Sequence, residues 1–178
     1  AERSFESEDI HSCNLVARKA VLKEVGGWNE KYWPGEDTLI CLAIKRLGKR
    51  LIEASDVVVY HHRKPLFKDH LKQVSRFGLH RGFFAKKFRE NSFRLTYFIP
   101  SLLVLSLFTG VLASLNNPFL SNGLLWAILL YLTLALIATL LEVRDGKLIL
   151  PVWLGIILTH IVYGAAFLRG LMKRDLER

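Results

Sequence analysis

The stretch from Leu95 to Leu141, LTYFIPSLLVLSLFTGVLASLNNPFLSNGLLWAILLYLTLALIATLL, contains no Asp, Glu, Lys or Arg across 47 residues. A helix that crosses a membrane needs about 20 consecutive apolar residues, so this stretch is long enough for two spans. The uncharged run from Leu148 to Leu168 adds 21 residues, enough for a third span. We therefore predict an α-helical transmembrane region with spans over 96–114, 124–141 and 148–168.

Positive charge is concentrated just before the first span. Residues 63–94 carry ten basic and two acidic side chains, whereas residues 1–62 carry nine basic and ten acidic ones. Lysine and arginine beside a membrane helix favour the cytoplasmic side, where they meet anionic lipid headgroups. We therefore expect a multi-pass protein of the cell (inner) membrane whose polar part is cytoplasmic. Nucleic-acid binding would also explain a basic chain, but no nucleic-acid motif is visible, so we expect no such partner.

The C-terminal tail conflicts with this orientation. Three crossings place its basic residues outside, where lysine and arginine are disfavoured. Two explanations stay open: the third run does not cross fully, or the tail lies along the outer interface. We keep the prediction of three spans. The basic residues concerned are Arg169, Lys173, Arg174 and Arg178.

Composition divides the chain into four segments. Between the polar N-terminal part and the first span, apolar residues recur at helical spacing among basic ones, which is typical of a helix in the membrane interface. We assign a polar unit to 1–62, this interfacial helix to 63–94, the membrane helices to 95–171 and a charged tail to 172–178.

Local patterns predict the elements of the polar part. The acidic pair at Glu36 opens a helix, because acids at a helix start complement its dipole. Two β-favouring stretches, Leu51–Ile52 and Val57–Tyr60, predict strands. In the interfacial helix, Gly78 and Gly82 predict a bend.

The strongest chemical signal lies in Gly26 to Asp37, GGWNEKYWPGED. The acids Glu36 and Asp37 follow a turn-rich loop that contains Trp33 and other aromatic residues. An acid held beside aromatic rings is desolvated, which raises its pKa and suits it to act as a general base. The alternative is that both acids only cap the helix.

A second signal lies at Gln73 and Arg76. The two residues are three apart, so they share one face of a helix. The guanidinium of arginine matches phosphate oxygens, and glutamine can bond sugar hydroxyls. The alternative is two polar residues on a basic surface helix.

Taken in order, these motifs resemble the family 2 glycosyltransferases. The order is Asn14, a short helix, Val-Gly-Gly-aromatic-Asn-Glu, Gly-Glu-Asp, a helix ending in Gly, a strand followed by His, Gln-x-x-Arg-aromatic, and membrane helices. Asp37 and Gln73 lie 36 residues apart, much as the acidic and Gln-x-x-Arg-Trp motifs do in cellulose-synthase-like members. The resemblance covers about residues 14–171.

This resemblance implies the C-terminal half of an α/β fold of the GT-A type. It also implies inverting transfer of a sugar from a nucleotide-sugar donor to a lipid-linked or glycan acceptor, at a site in contact with membrane lipids. Asp37 would be the catalytic base that deprotonates the acceptor hydroxyl. Glu36 would support the loop or touch the acceptor.

The remaining motif residues would bind substrate. Arg76 would neutralise the departing pyrophosphate, and Gln73 would help to hold acceptor or donor. Trp33 and Phe77 complete the expected substrate-binding set. Phe77 stands where the family usually has tryptophan, which weakens any inference of processive polymer synthesis.

The resemblance also raises the question of a metal. The family binds its nucleotide through an N-terminal half with an Asp-x-Asp motif, which does not occur in this sequence. We therefore expect this chain alone to be inactive, and a divalent metal, Mn or Mg, to be bound in the full-length enzyme. His61 or His62 could complete such a site, since Mn²⁺ accepts imidazole. A structural role for both histidines is the alternative.

A function without catalysis is the competing hypothesis. A small basic membrane scaffold, or a subunit of an export complex, would account for the spans and the charge. It would not account for the aromatic Gly-Glu-Asp loop or the Gln-x-x-Arg set. Within the third run, His160 is a candidate functional residue, but we expect it to bond a neighbouring helix instead.

Overall fold

The computed structural model describes residues 4–62, 64–115 and 117–176, and it is mostly helical. Arg63, Asn116 and Arg178, which entered the predictions above, lie outside the described residues. The elements before the long apolar run are β1 (Ser4–Ser7), α1 (Lys19–Glu24), α2 (Glu36–Arg46), β2 (Leu51–Ala54), α3 (Lys68–Lys87) and α4 (Arg89–Ser92). The apolar run forms α5 (Leu95–Ser114), α6 (Pro118–Glu142) and α7 (Gly146–Met172).

One small sheet represents the β part of the predicted α/β unit. β1 pairs with β2 in antiparallel register, from Ser4 opposite Ala54 to Ser7 opposite Leu51. The prediction of a further strand at Val57–Tyr60 is wrong, because this stretch pairs with no other strand among the described residues. β-branched residues favour a strand only where neighbours cover them, and Tyr60 is 99% exposed. The GT-A fold itself stays a prediction.

Helix α2 begins at the acidic pair, as predicted. Glu36 accepts a hydrogen bond from the Gly35 N–H at 2.9 Å, and Asp37 accepts one from the Thr38 N–H at 2.8 Å. The helix ends in Lys45 and Arg46, whose charges suit its C-terminus. Its inner face buries an apolar cluster with β2, formed by Ile40, Cys41, Ile44 and Leu51.

Helix α3 is continuous through both of its glycines, and the bend stays a prediction. The glycines serve contact with α7. A Cβ on Gly82 would lie 2.0 Å from the carbonyl oxygen of Phe167, and one on Gly78 would lie 2.7 Å from that of Tyr163. Reciprocally, a Cβ on Gly170 would lie 2.0 Å from the carbonyl oxygen of Leu79. The two helices therefore touch backbone to backbone.

Helices α5, α6 and α7 are long and apolar enough to cross a membrane, with mean hydropathies of 1.9, 2.5 and 1.9. They confirm the three predicted apolar helices, and each extends beyond its predicted bounds. Asn117 caps α6 by accepting hydrogen bonds from the N–H groups of its first turn. His160 on α7 lies 2.9 Å from the hydroxyl of Tyr131 on α6, which confirms the predicted contact between helices.

The C-terminal tail folds back onto the polar unit. Leu176 packs against an aromatic cluster that includes Tyr32 and Phe84. Lys86 on α3 donates to the carbonyl oxygens of Leu171, at 2.9 Å, and of Lys173. The tail and the polar unit therefore lie together at the same end of the apolar helices.

Candidate functional site

The turn before α2 fixes the two predicted acids. Gly35 has a φ of 129°, a conformation that favours glycine, and it follows the cis peptide bond between Trp33 and Pro34. A Cβ on Gly35 would lie 2.6 Å from the ring of Phe84 on α3. The turn is thus pressed against α3, and it delivers Asp37 to the junction of the two helices.

Asp37 is half-enclosed and well bonded. Its Oδ1 accepts from the Thr38 N–H at 2.8 Å, and its Oδ2 accepts from the Ser12 N–H at 3.5 Å. The imidazole of His11 lies 3.7 Å from Oδ2. Burial raises the pKa of Asp37, but the hydrogen bonds from His11, Thr38 and Ser12 outweigh it and lower the pKa below 3.8.

The raised pKa expected from the aromatic loop is therefore wrong. His11, followed by the N–H groups of Thr38 and Ser12, stabilises the carboxylate more than burial destabilises it. The same contact raises the pKa of His11, chiefly through the hydrogen bond to Asp37. Asp37 is consequently ionised at neutral pH, which is the form that accepts a proton.

A cleft of about 510 Å³ lies between this turn and the first half of α3; we call it the α3 cleft. The guanidinium of Arg76 lies 5.4 Å from the centre of the Trp33 ring, a cation–π contact that joins the two walls. Lys64 and Lys72 add positive charge, and Asp69 adds a negative charge on the same side. All six predicted catalytic and substrate-binding residues line this cleft: Trp33, Glu36, Asp37, Gln73, Arg76 and Phe77.

A second cavity of about 440 Å³ adjoins the first one on the side of the apolar helices; we call it the membrane-side cavity. Asp37 and Phe77 line both cavities, as do Pro34 and Gly35. Most of its surface is apolar, and the other walls come from His11, the start of α2, α3, the first turns of α5 and the middle of α7. Their polar members are His11, Thr38, His80, Arg81, Thr96, Tyr97, Thr159, His160 and Tyr163.

Arg81, in a wall of the membrane-side cavity, forms a largely buried ion pair with Asp9 that sequence reasoning missed. Arg81 on α3 donates to Asp9 at 2.6 Å, and Thr38 donates to the same carboxylate oxygen at 3.0 Å. Among the described residues, the second guanidinium nitrogen of Arg81, Nη1, is buried without a hydrogen-bond partner. The signal in the sequence was an isolated arginine within the run FGLHRGFFA at 77–85.

His80 lies beside this pair and is 9% exposed. Its Nδ1 lies 3.0 Å from the carbonyl oxygen of Arg76, so Nδ1 carries the hydrogen and Nε2 keeps its lone pair. Burial lowers the pKa of His80, which keeps the ring neutral at pH 7.

The predicted metal ligands are not part of either cavity. His61 and His62 are exposed. Across residues 4–62, 64–115 and 117–176, no three His, Cys, Asp or Glu side chains cluster so that they could hold a metal ion. The residues present do not build a metal site by themselves, so the divalent metal stays a prediction.

Comparison with known proteins gives one match. A family model described as "Glycosyl transferase family group 2" matches residues 10–167. This range includes every residue that lines the two cavities. Comparisons with curated proteins and with solved structures gave no significant match.

Proposed function

The chain belongs to glycosyl transferase family group 2, and on this premise we propose that it forms the acceptor-side part of a membrane-bound inverting glycosyltransferase. The donor would be a nucleotide sugar, and the acceptor a lipid-linked or glycan hydroxyl. The observation that carries the proposal is the α3 cleft, in which the ionised Asp37 lies across from Lys72 and Arg76, with Glu36 and Asp69 also in the lining. Membership of the family favours this reading over a scaffold without catalysis.

Asp37 would act as the general base. It takes the proton of the acceptor hydroxyl, whose oxygen then forms a bond to the anomeric carbon of the sugar. The bond between that carbon and the phosphate oxygen of the donor breaks, and a nucleoside diphosphate leaves. Attack from the face opposite the leaving group inverts the anomeric configuration. Because its pKa is lowered, Asp37 is a weak base that is ready at neutral pH.

Arg76 and Lys72 would stabilise the negative charge that develops on the leaving diphosphate. A guanidinium can donate two parallel hydrogen bonds to phosphate oxygens, which a lysine cannot. Trp33 stacks on Arg76 and fixes its plane. Gln73 is one helical turn away and would bond sugar hydroxyls, with Phe77 beneath the sugar. Glu36 holds the turn through its bond to Gly35.

Any divalent metal would add charge stabilisation at the diphosphate. The described residues offer no ligand cluster for it, so every step above is assigned to side chains of this chain.

Substitution of Arg76 tests this function. In the full-length enzyme, Arg76→Met should lower kcat/KM for the donor by about 10²–10³-fold, the usual effect of removing one preorganised donor to developing charge. Arg76→Lys should recover part of the lost kcat/KM, because lysine keeps the positive charge but cannot donate two parallel hydrogen bonds to a phosphate.

Arg89→Met is the matched control, since Arg89 is exposed on α4 and lines neither cavity. Transfer of label from a nucleotide sugar measures all three variants. An Arg76→Met enzyme within twofold of the control would contradict the proposed function of the α3 cleft.

We further propose that the chain crosses the membrane twice, through α5 and α6, with the polar unit in the cytoplasm. Helix α3 exposes lysines near both ends, such as Lys68 and Lys87, so it lies along the membrane surface. Helix α7 packs along α3 from Thr159, which contacts His70, to Leu171, which contacts Lys86. We infer that it lies in the same plane. This arrangement places every described lysine and arginine on the cytoplasmic side, where these residues are favoured beside membrane helices.

Single cysteines report this topology. In a background without Cys13 and Cys41, a maleimide that cannot pass membranes should label Ser121→Cys, in the first turn of α6, in intact cells. It should label Arg144→Cys and Lys173→Cys only after permeabilisation. Labelling of Lys173→Cys in intact cells would restore the model of three crossings.

A further inference from the structure

We propose that the membrane-side cavity is the acceptor site, and that it admits a neutral lipid bearing a free hydroxyl directly from the bilayer. This inference rests on the proposed function and names its acceptor. The class includes diacylglycerols and other uncharged lipid alcohols. It excludes lipid phosphates and soluble glycans.

The position of the cavity is the first argument. Asp37 lines the cavity together with residues of α5 and α7 such as Pro100 and Tyr163. The cavity therefore joins the proposed base to helices that are apolar enough to lie in lipid. A lipid headgroup at the interface could reach Asp37 without leaving the membrane.

The charge of the walls is the second argument. The cations Lys64, Lys72 and Arg76 line the α3 cleft and not the membrane-side cavity. The cavity has one arginine, Arg81, and Asp9 already neutralises it. His11 also lines the cavity, but it is paired with Asp37. An anionic headgroup would therefore meet two paired groups and no free cation, so the walls favour an uncharged headgroup.

The hydrogen-bonding groups of the walls are the third argument. Thr96, Thr159 and Tyr163 supply hydroxyls, and neutral His80 supplies an imidazole acceptor at Nε2. The unpartnered Nη1 of Arg81 can donate to a hydroxyl or ester oxygen. These groups bind alcohols and esters, while the apolar remainder of the lining accommodates the start of an acyl chain.

The two cavities then divide the reaction. The donor diphosphate occupies the α3 cleft beside Lys72 and Arg76, and the lipid hydroxyl arrives from the membrane-side cavity at Asp37, which lines both. The hydroxyl proton moves to Asp37, the lipid oxygen bonds to the anomeric carbon, and the nucleoside diphosphate leaves toward the polar side. The product is a glycolipid, which can return to the bilayer through the opening by which the lipid entered.

The test uses the full-length enzyme in phosphatidylcholine vesicles with labelled UDP- and GDP-hexoses. Dioleoylglycerol, polyprenyl phosphate or a soluble oligosaccharide is supplied as acceptor. Transfer to dioleoylglycerol, and not to the other two, is the expected result. Transfer only to polyprenyl phosphate or only to the oligosaccharide would overturn the proposal.

A pair of matched variants tests whether the acceptor binds in the membrane-side cavity. Thr96→Phe fills the cavity and should raise KM for dioleoylglycerol at least tenfold. Thr109→Phe makes the same change on an exposed position of α5 outside the cavity and should leave this KM unchanged. Equal KM values for the two variants would refute the assignment.

A photoreactive diacylglycerol gives a measurement that does not depend on a folded variant. In the wild-type enzyme it should label α7 near Thr159 and Tyr163, and unlabelled dioleoylglycerol should compete. Labelling confined to the outer faces of α5 and α6 would count against the cavity. Absence of both transfer and donor hydrolysis in the wild type would instead reject the proposed function, and the acceptor inference would fall with it.

Discussion

Asp37→Asn should lower sugar transfer by the full-length enzyme by about 10²–10⁴-fold, the contribution of a positioned general base. Asparagine has the same size as aspartate and keeps an oxygen that can accept from the Thr38 N–H, so the start of α2 should persist. What it loses is the lone pair basic enough to take a proton. Affinity for the nucleotide sugar should change little, because the cations of the α3 cleft remain.

The measurement is the single-turnover rate with saturating donor, beside donor affinity from calorimetry. Asp56→Asn is the matched control, since Asp56 is exposed in the turn after β2 and lines neither cavity. Glu36→Gln should cost less rate than Asp37→Asn, because Glu36 is engaged with the Gly35 N–H. Near-normal turnover of the Asp37→Asn enzyme would show that another group acts as the general base.

Gly82→Ala should destabilise the whole chain, although it adds a single methyl group. The new Cβ would lie 2.0 Å from the carbonyl oxygen of Phe167, so α3 and α7 must separate. Overpacking of this kind costs about 1–3 kcal/mol. For a chain of this size that corresponds to a fall in Tm of about 2–12 °C. Gly170→Ala should behave alike, because its Cβ meets the carbonyl oxygen of Leu79 at the same distance.

Gly123→Ala supplies the control for this prediction. Gly123 is also helical, on α6, but nothing lies within 4 Å of its Cβ position. Alanine should therefore be neutral or stabilise α6 by about 0.5–1 kcal/mol, since it restricts the unfolded backbone. Thermal unfolding in detergent compares the three variants. Equal Tm values for Gly82→Ala and Gly123→Ala would show that the helix pair is looser than the structure indicates.

Patterns that act over a few residues predicted much of this structure. The uncharged run predicted α5, α6 and α7, because a membrane helix is a property of composition alone. The acidic pair predicted the start of α2, because helix ends have local electrostatics. Short spacing also predicted two residues of the α3 cleft, because Gln73 and Arg76 are three residues apart and therefore share a helix face.

Features that depend on contacts across the chain were not visible. Val57–Tyr60 has the composition of a strand, yet a strand needs a partner. Gly78 and Gly82 were predicted to weaken their helix. In the structure they allow close contact with the backbone of α7, whose contacting residues lie more than 80 positions away in the sequence. The pKa of Asp37 depends on His11 and Ser12, which no spacing rule connects to it.

The docking of Leu176 on the aromatic cluster has a consequence for biosynthesis. The cluster includes Tyr32 and Phe84, and Phe84 presses on Gly35 in the turn that holds Asp37. Helix α7 and the tail are translated after α5 and α6. The buried members of the cluster are therefore synthesised before the membrane helices, and Leu176 covers them only after α5, α6 and α7 are complete. Support of the Asp37 turn by the tail is accordingly a late step of biosynthesis.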